Sequence, residues 1–266
     1  MTPDLYLDLS IDSTGGAGTQ GDPYRSFADV PTYSSGGRNV LITKGNASLT
    51  GAQSVKCGYN YFSRTREAIG APVSEIRFNF DDVAQDVSFR NLVIFTSYSD
   101  NDDASNSGGQ TVTFDECALR GSLSNTNSAW IRDRRNWTFN YCDLIAGFGN
   151  TSASLNNQPK LFYRYGTVTP KVTINRCSCY FSVSHYNDGA EYLINTTTDN
   201  YLTHSLFYII SATPGTLLVN GLDTNTGNYS DANGDVIIGT SVDPIGFIDP
   251  ATGVMELIDS SPLLAL

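Results

Sequence analysis

The chain has 266 residues, enough for one large domain or two small ones and for a sizeable core. Only 16% of them are charged, against roughly 25% in an average soluble domain, and Asn, Ser, Thr and Gly fill the gap. A net charge of −11 with a pI near 4.4 sets the surface against phosphate backbones and argues against nucleic-acid binding, and no stretch approaches the ~18 apolar residues of a membrane span.

The N-terminal stretch MTPDLYLDLS has neither the basic start nor the apolar run of a secretory signal, so cytoplasmic synthesis is expected. After it come LYLDLSIDSTGGAGTQGDPYRSFADV (5–30) and GGRNVLITKGNASL (36–49). From residue 87 an eight-residue phrase recurs: VSFRNLVI (87–94), VTFDECAL (112–119), WTFNYCDL (137–144), VTINRCSC (172–179) and NYLTHSLF (200–207). Within VTFDECAL, Val112 and Phe114 point one way and Thr113 and Asp115 the other, which is the period of a strand. A turn near Glu116 follows, and Cys117 and Leu119 resume the apolar face. Aligning the copies gives three apolar lanes: Phe89, Phe114, Phe139, Ile174, Leu202; then Leu92, Cys117, Cys142, Cys177, Ser205; then Ile94, Leu119, Leu144, Cys179, Phe207. Spacings of 25, 25, 35 and 28 residues between equivalent positions fit a coiling unit of two or three short strands, with length variation taken up in loops. Propeller blades need about 40–45 residues each, and helical periodicity is almost absent. The chain ends in FIDPATGVMELIDSSPLLAL (247–266).

Both ends and the middle resemble right-handed parallel β-helix proteins of the pectate-lyase-like superfamily. At the start, Gly18, Thr19, Gln20, Pro23, Ser26 and Phe27 match the opening cap of such proteins. That cap is a strand, a GT-x3-P loop, a short helix (ended here by Pro31) and a G-x-x-V-x-I-x-x-G strand. At the close, Phe247, Asp249, Gly253, Leu257, Ser261 and Pro262 match their final segment. The expected fold is therefore all-β, a single-stranded right-handed parallel β-helix with a short N-terminal cap helix. Residues 1–50 form the cap and first rungs, 51–240 one continuous run of rungs, and 241–266 a C-terminal cap. The superfamily spans lyases, hydrolases, adhesins and phage tailspikes, so the resemblance speaks to fold more than to function.

Catalytic signatures are sparse. Polygalacturonase-like hydrolases carry an N-x-D strand, an adjacent Asp pair and a G-H-G turn, where paired carboxylates activate water and protonate the leaving oxygen. The adjacent pairs here are Asp81–Asp82 and Asp102–Asp103, and neither His185 nor His204 sits between glycines. The corner residues Asn91, Glu116, Tyr141, Arg176 and His204 should stack along one edge at about 4.8 Å per rung. They are the candidate glycan-binding residues, with Glu116, Asp143 and Asp115 the candidate carboxylates for cutting. Asp231, Asn233 and Asp235 occupy positions 1, 3 and 5 of an EF-type loop and are the one candidate calcium site, but Val236 and Val242 replace the required glycine and acid. Otherwise no cofactor is expected. Asp100, Asp102 and Asp103 lie in a Ser/Gly-rich stretch (97–111) that reads as an insertion between rungs. Arg132, Arg134 and Arg135 read as a solvated turn beside Asp133. Five sequons (Asn46, Asn136, Asn150, Asn195, Asn228) arise readily by chance in such a composition. The five cysteines read as reduced, buried thiols, because three share one inward lane and an odd number cannot all pair.

Three function classes remain. The leading one is a virion or particle-surface structural protein: a phage tailspike-like, fibre or capsid-decorating β-helix. It would be a self-associating homotrimer that meets other virion proteins and presents a surface to glycans. The alternatives are a polysaccharide lyase or glycoside hydrolase of the same fold, and a cell-surface carbohydrate-binding or adhesin module.

Overall fold

The alternating phrase does form strands, and identical positions of successive copies lie side by side. The computed structural model of the protein describes residues 1–33, 35–70, 76–80, 85–95, 99–100, 110–123, 129–133, 135–148, 160–164, 171–183, 191–211, 217–231, 240–242, 247–249 and 254–257. Strands Val87–Arg90, Thr111–Asp115, Asn136–Asn140 and Val172–Asn175 pair in parallel. Their register runs Phe89↔Phe114↔Phe139↔Ile174, and Ile174 then meets Leu202 in the strand Glu191–Thr203. Past a one-residue corner, Val93–Phe95, Ala118–Leu123, Asp143–Phe148, Ser178–Val183 and Leu206–Ser211 make a second parallel sheet. A third side holds Ser99–Asp100, Ala129–Asp133 and Lys160–Arg164. The long strand Glu191–Thr203 starts on the third side, paired through Ile194 with Phe162, and ends on the first, so these two sides are hydrogen-bonded into one path. Each turn thus takes three strands, and the phrase copies span about four turns. The fold is an all-β parallel β-solenoid, in line with a right-handed parallel β-helix, the hand that parallel crossovers between twisted strands adopt. Ser99 and Asp100, read from sequence as insertion, are a strand in register with Ile131 and Arg132.

Inside the coil the first lane is an aromatic column. Tyr61 stacks on Phe89 at 5.5 Å, Phe89 on Phe114 at 5.1 Å, and Phe114 on Phe139 at 5.4 Å with only 5° between ring planes. Parallel in-register strands impose this geometry, because the rung spacing of about 4.8 Å already sets rings at offset-stacking distance. Tyr61, fully buried, heads the column and its hydroxyl donates to the Lys56 carbonyl. Trp137 packs flat against Phe114, 5.8 Å away.

The N-terminal strand Leu5–Asp8 adds to Arg38–Lys44 in parallel, with Leu7 opposite Ile42, and covers the first edge. Gly18 sits beside it with φ +73°, and a Cβ there would lie 2.4 Å from the Tyr24 ring, so the loop needs glycine on both counts. The short cap helix expected from the resemblance is not present as such. A single 3-10 turn, Phe27–Asp29, takes its place, with Ser26 as N-cap. Val30, held at φ −64°, ψ 125°, is already extended, as a residue before proline must be, so Pro31 leaves room for one turn only. Phe27 still closes the core, edge-on to Tyr61 at 5.3 Å. At the other end, Thr240–Val242 extends the second sheet, and Phe247–Asp249 pairs antiparallel with Val254–Leu257, placing Phe247 opposite Leu257. Gly253, Ser261 and Pro262 lie outside the described residues.

Phe114 has an aromatic neighbour on the rung to either side, so no single neighbour can fill the space it leaves. Phe114→Ala is expected to lower the unfolding free energy by about 3–5 kcal/mol, and Ile174→Val by about 0.5–1.5 kcal/mol. Urea titration of the two variants measures both, and an equal effect would deny the column its role.

Candidate functional site

From Asn91 onward, the corner between the first and second sheets is made by a single left-handed residue in each described turn. Arg66, Asn91, Glu116, Tyr141, Arg176 and His204 have φ between 51° and 56°, and Gly227 continues the series at 65°. The sequence-derived corner residues Asn91, Glu116, Tyr141, Arg176 and His204 are therefore brought together as one outward lane. Gly227 extends it, while Arg66 lies in the longer connection 63–67 of the preceding turn; neither was found from the sequence. Gly227 was missed because TGNY (226–229) matches the phrase in few positions, although Asn228 stands in register with Ser205. Asn91 is half-buried, while Glu116, Tyr141, Arg176 and His204 are exposed. The backbone N–H groups of Asn91, Glu116, Tyr141, Arg176 and His204 each donate to the carbonyl preceding the next corner, as in Glu116 N–H to Asn140 at 2.9 Å.

Just before the corner, on the outer face of the first sheet, runs a hydrogen-bonded ladder of side chains. Asn140 Nδ2 donates to Asp115 Oδ1 at 2.8 Å, Asn175 Nδ2 to Asn140 Oδ1 at 3.3 Å, and Thr203 Oγ1 to Asn175 Oδ1 at 3.0 Å. Every bond points toward Asp115, whose carboxylate only accepts. The other candidate carboxylates are also engaged. Glu116 Oε1 meets Arg90 Nη2 at 2.7 Å, and Asp143 Oδ2 meets Arg66 Nη2 at 3.2 Å. Arg66 and Asp143 belong to different rungs, and between them the second sheet carries Val93 and small Ala118 at the matching register position. Farther along, Arg176 lies against Tyr141. Its Nη1 donates to the phenol oxygen at 2.8 Å, and its guanidinium carbon sits 5.5 Å from the ring centroid. The His204 ring leans the other way, over the Gly227 corner, where a Cβ would lie 2.8 Å from it.

The inner side of the same corner explains the cysteines. A left-handed residue turns the next N–H inward, away from the strand ladder. Cys142 N–H finds Cys177 Sγ at 3.4 Å, Cys177 N–H finds Ser205 Oγ at 3.0 Å, and Ser205 N–H finds Asn228 Oδ1 at 2.9 Å. The same side chains give hydrogen bonds back: Cys142 Sγ to the Asn140 and Phe114 carbonyls, Ser205 Oγ to Thr203, Asn228 Nδ2 to Leu202. All five cysteines are buried thiols outside any disulfide, as expected from the sequence. Sequence reasoning saw them as packing and missed this second task. The signal was present in Ser205 and Asn228, polar residues holding one inward lane with the thiols. Asn228, 1% exposed and fully engaged, is closed to glycosylation in the folded chain. Burial, reinforced by neighbouring thiols, pushes the Cys117 and Cys142 thiols well above their usual range, and burial does the same to Cys179.

One sequence expectation is overturned. Arg135 is not in a solvated turn; it is fully buried, with its guanidinium 5.0 Å from the centre of the Phe80 ring. Its aliphatic stem and flat head suit an aromatic-lined interior better than the sequence context suggested. Arg134 lies outside the described residues, as do Asn233 and Asp235 of the candidate calcium loop. Asp231 ends the strand Tyr229–Asp231, opposite Val242. Asp81, Asp82, Asp102, Asp103 and His185 also lie outside them. Among the described residues no three His, Cys, Asp or Glu side chains are grouped to hold a metal, and no helix is long and apolar enough to cross a membrane.

No protein-family model matches the chain, and neither a curated protein nor a solved structure matches it. The fold, and not a relative, is what positions this corner.

Two outcomes test the inner ladder. Ser205→Val strands the Cys177 N–H and is expected to cost about 1–3 kcal/mol, whereas Ser205→Cys, which restores an acceptor, costs less; urea unfolding ranks them. Thiols held protonated in the fold but ionising near pH 8.5 once unfolded make the unfolded state bind fewer protons above that pH. Stability is therefore level below about pH 8.5 and falls above it, by up to about 1.4 kcal/mol per pH unit for each such thiol. A Cys142→Ser variant should show a shallower fall.

Proposed function

We propose that this chain is a non-catalytic β-helix of a virion or particle surface, of the capsid-decorating, fibre or tailspike kind, whose corner ridge holds a surface polysaccharide. The observation that carries the reading is the engagement of Asp115, Glu116 and Asp143. One accepts an amide of the ladder and two are held by arginines. A glycosidase needs one carboxyl free to protonate a leaving oxygen and a second to act on water or carbon. Carboxylates tied into a scaffold serve rigidity and recognition instead. The ridge suits a sugar chain in other ways. Its polar groups repeat at the rung spacing of about 4.8 Å, close to the advance of one pyranose unit along an extended polysaccharide. Asn140 and Asn175 each retain a second amide hydrogen for a sugar hydroxyl, and the Tyr141 ring is 53% exposed.

In this reading the protein is made in the cytoplasm and assembled onto the particle. It associates as a homotrimer through flat solenoid faces and meets other particle proteins there. Its acidic, amide- and hydroxyl-rich surface, with a net charge of −11, keeps such a particle soluble and away from nucleic acid.

Incubation with bacterial capsule and pectin-type polymers is expected to release neither reducing ends nor an unsaturated product absorbing in the ultraviolet, while the protein is retained on an immobilised polysaccharide. Product release that disappears in Glu116→Gln or Asp143→Asn would make the protein a lyase or hydrolase. Sedimentation is expected to give the mass of a trimer.

A further inference from the structure

We infer that the Tyr141–Arg176 pair is a subsite for a carboxylate-bearing sugar unit, of the uronate or sialate type. The inference rests on the reading of the ridge as a polysaccharide surface and adds the chemistry of its ligand.

The two halves of the ridge differ in charge. In the N-terminal half, Arg90 and Arg66 are neutralised by Glu116 and Asp143. In the C-terminal half Arg176 is exposed, and among the described residues it meets no carboxylate; its one hydrogen bond is to the neutral Tyr141 hydroxyl. The positions around it are Tyr141 and His204 on the adjoining rungs, with Asn175 before the corner and Ser178 on the second sheet. None of these is acidic; Asp143, opposite Ser178 on the adjoining rung, is, but its carboxylate is held by Arg66. In a chain of net charge −11, an exposed guanidinium with no carboxylate of its own is a local inversion of the field.

The guanidinium is also pre-positioned. Tyr141 takes one of its five N–H donors and its ring lies beside the cation, which leaves the fork for a bidentate carboxylate. A long side chain fixed before binding loses less entropy when the ligand arrives. Asn175 and Thr203, already aligned by the ladder, immediately precede the corners of Arg176 and His204 and offer polar groups to ring hydroxyls.

The test uses the intact protein with an oligogalacturonide and with the same oligosaccharide after reduction of its carboxyl groups, titrated calorimetrically at low and moderate salt. Wild type is expected to bind the acidic form about tenfold or more tightly than the reduced form, the worth of one charge-assisted contact, with the preference shrinking as salt rises. Arg176→Gln should abolish that preference while keeping binding of the reduced form. Tyr141→Phe, which frees the guanidinium but keeps the ring, should weaken the preference partially. Arg90→Gln, on the paired half of the ridge, should leave it intact. Equal affinity for both forms would overturn the carboxylate subsite and leave the polysaccharide reading standing. Loss of the preference in Arg90→Gln but not in Arg176→Gln would overturn the assignment to this pair. Binding of neither form would overturn both.

Discussion

A left-handed residue at the same place in successive turns from Asn91 to Gly227 is the constraint on which this solenoid depends. With φ near 54° the backbone changes direction within one residue, so the first and second sheets meet at a corner with no loop between them. Three consequences follow at once. The corner side chain is thrown outward into a solvent-facing lane, the preceding residue is set in a second outer lane, and the next N–H is turned inward, where no strand can receive it. The outer lanes become the ridge, and the inward N–H demands an acceptor on the rung above. A buried amide without one would cost about as much as several surface contacts contribute. The lane of Cys142, Cys177, Ser205 and Asn228 is the response: small side chains that fit the corner and can both give and take a hydrogen bond.

Register is the second requirement, and the interior column enforces it. A slip of one residue would bring every inward side chain to the outer face, taking Phe89, Phe114 and Phe139 out of a stack in which they touch at 5.1 and 5.4 Å. The strand order tolerates unequal loops because the column and the corner bind successive rungs independently of what connects them. The 35-residue repeat between the third and fourth copies therefore holds the same pairing, Phe139 to Ile174, as the 25-residue ones. Outer straps such as Arg66 to Asp143 run along the axis in the same sense, although an ion pair so exposed adds little by itself.

Much of this was legible in the amino-acid sequence. Lanes such as Phe89, Phe114, Phe139 identified stacked strands because a period of two inside the phrase and a chemical match between phrases point to one geometry. The corner near Glu116 was legible as a turn, but its left-handed conformation was not, since Glu, Tyr, Arg and His are poor αL residues and only Asn91 and Gly227 are typical ones. Arg135 misled because charge near Asp133 suggests solvent, whereas the aromatic wall that buries it comes from Phe80, more than fifty residues earlier. The cap helix shrank to one turn for a local reason, the restriction that Pro31 places on Val30. What the sequence could not express was which carboxylates are spoken for, because Arg66 to Asp143 and Arg90 to Glu116 are contacts between rungs.

The energetics of the corner separate positions that internal contacts account for from positions that they do not. Glycine at such a position would remove about 1–2 kcal/mol of crowding and lose about 0.5–1 kcal/mol to chain entropy, so glycine is the more stable choice by up to about 1.5 kcal/mol. At Glu116 the ion pair with Arg90, its side chains 44% and 51% exposed, returns at most about 1 kcal/mol and can offset the difference. At Tyr141 and Arg176 the return is one exposed hydrogen bond and one exposed ring contact shared between two strained residues. Stability alone would have placed glycine at both, as it stands at Gly227. Internal stability therefore does not account for Tyr141 and Arg176 at the corner, and the subsite proposed for them supplies a reason.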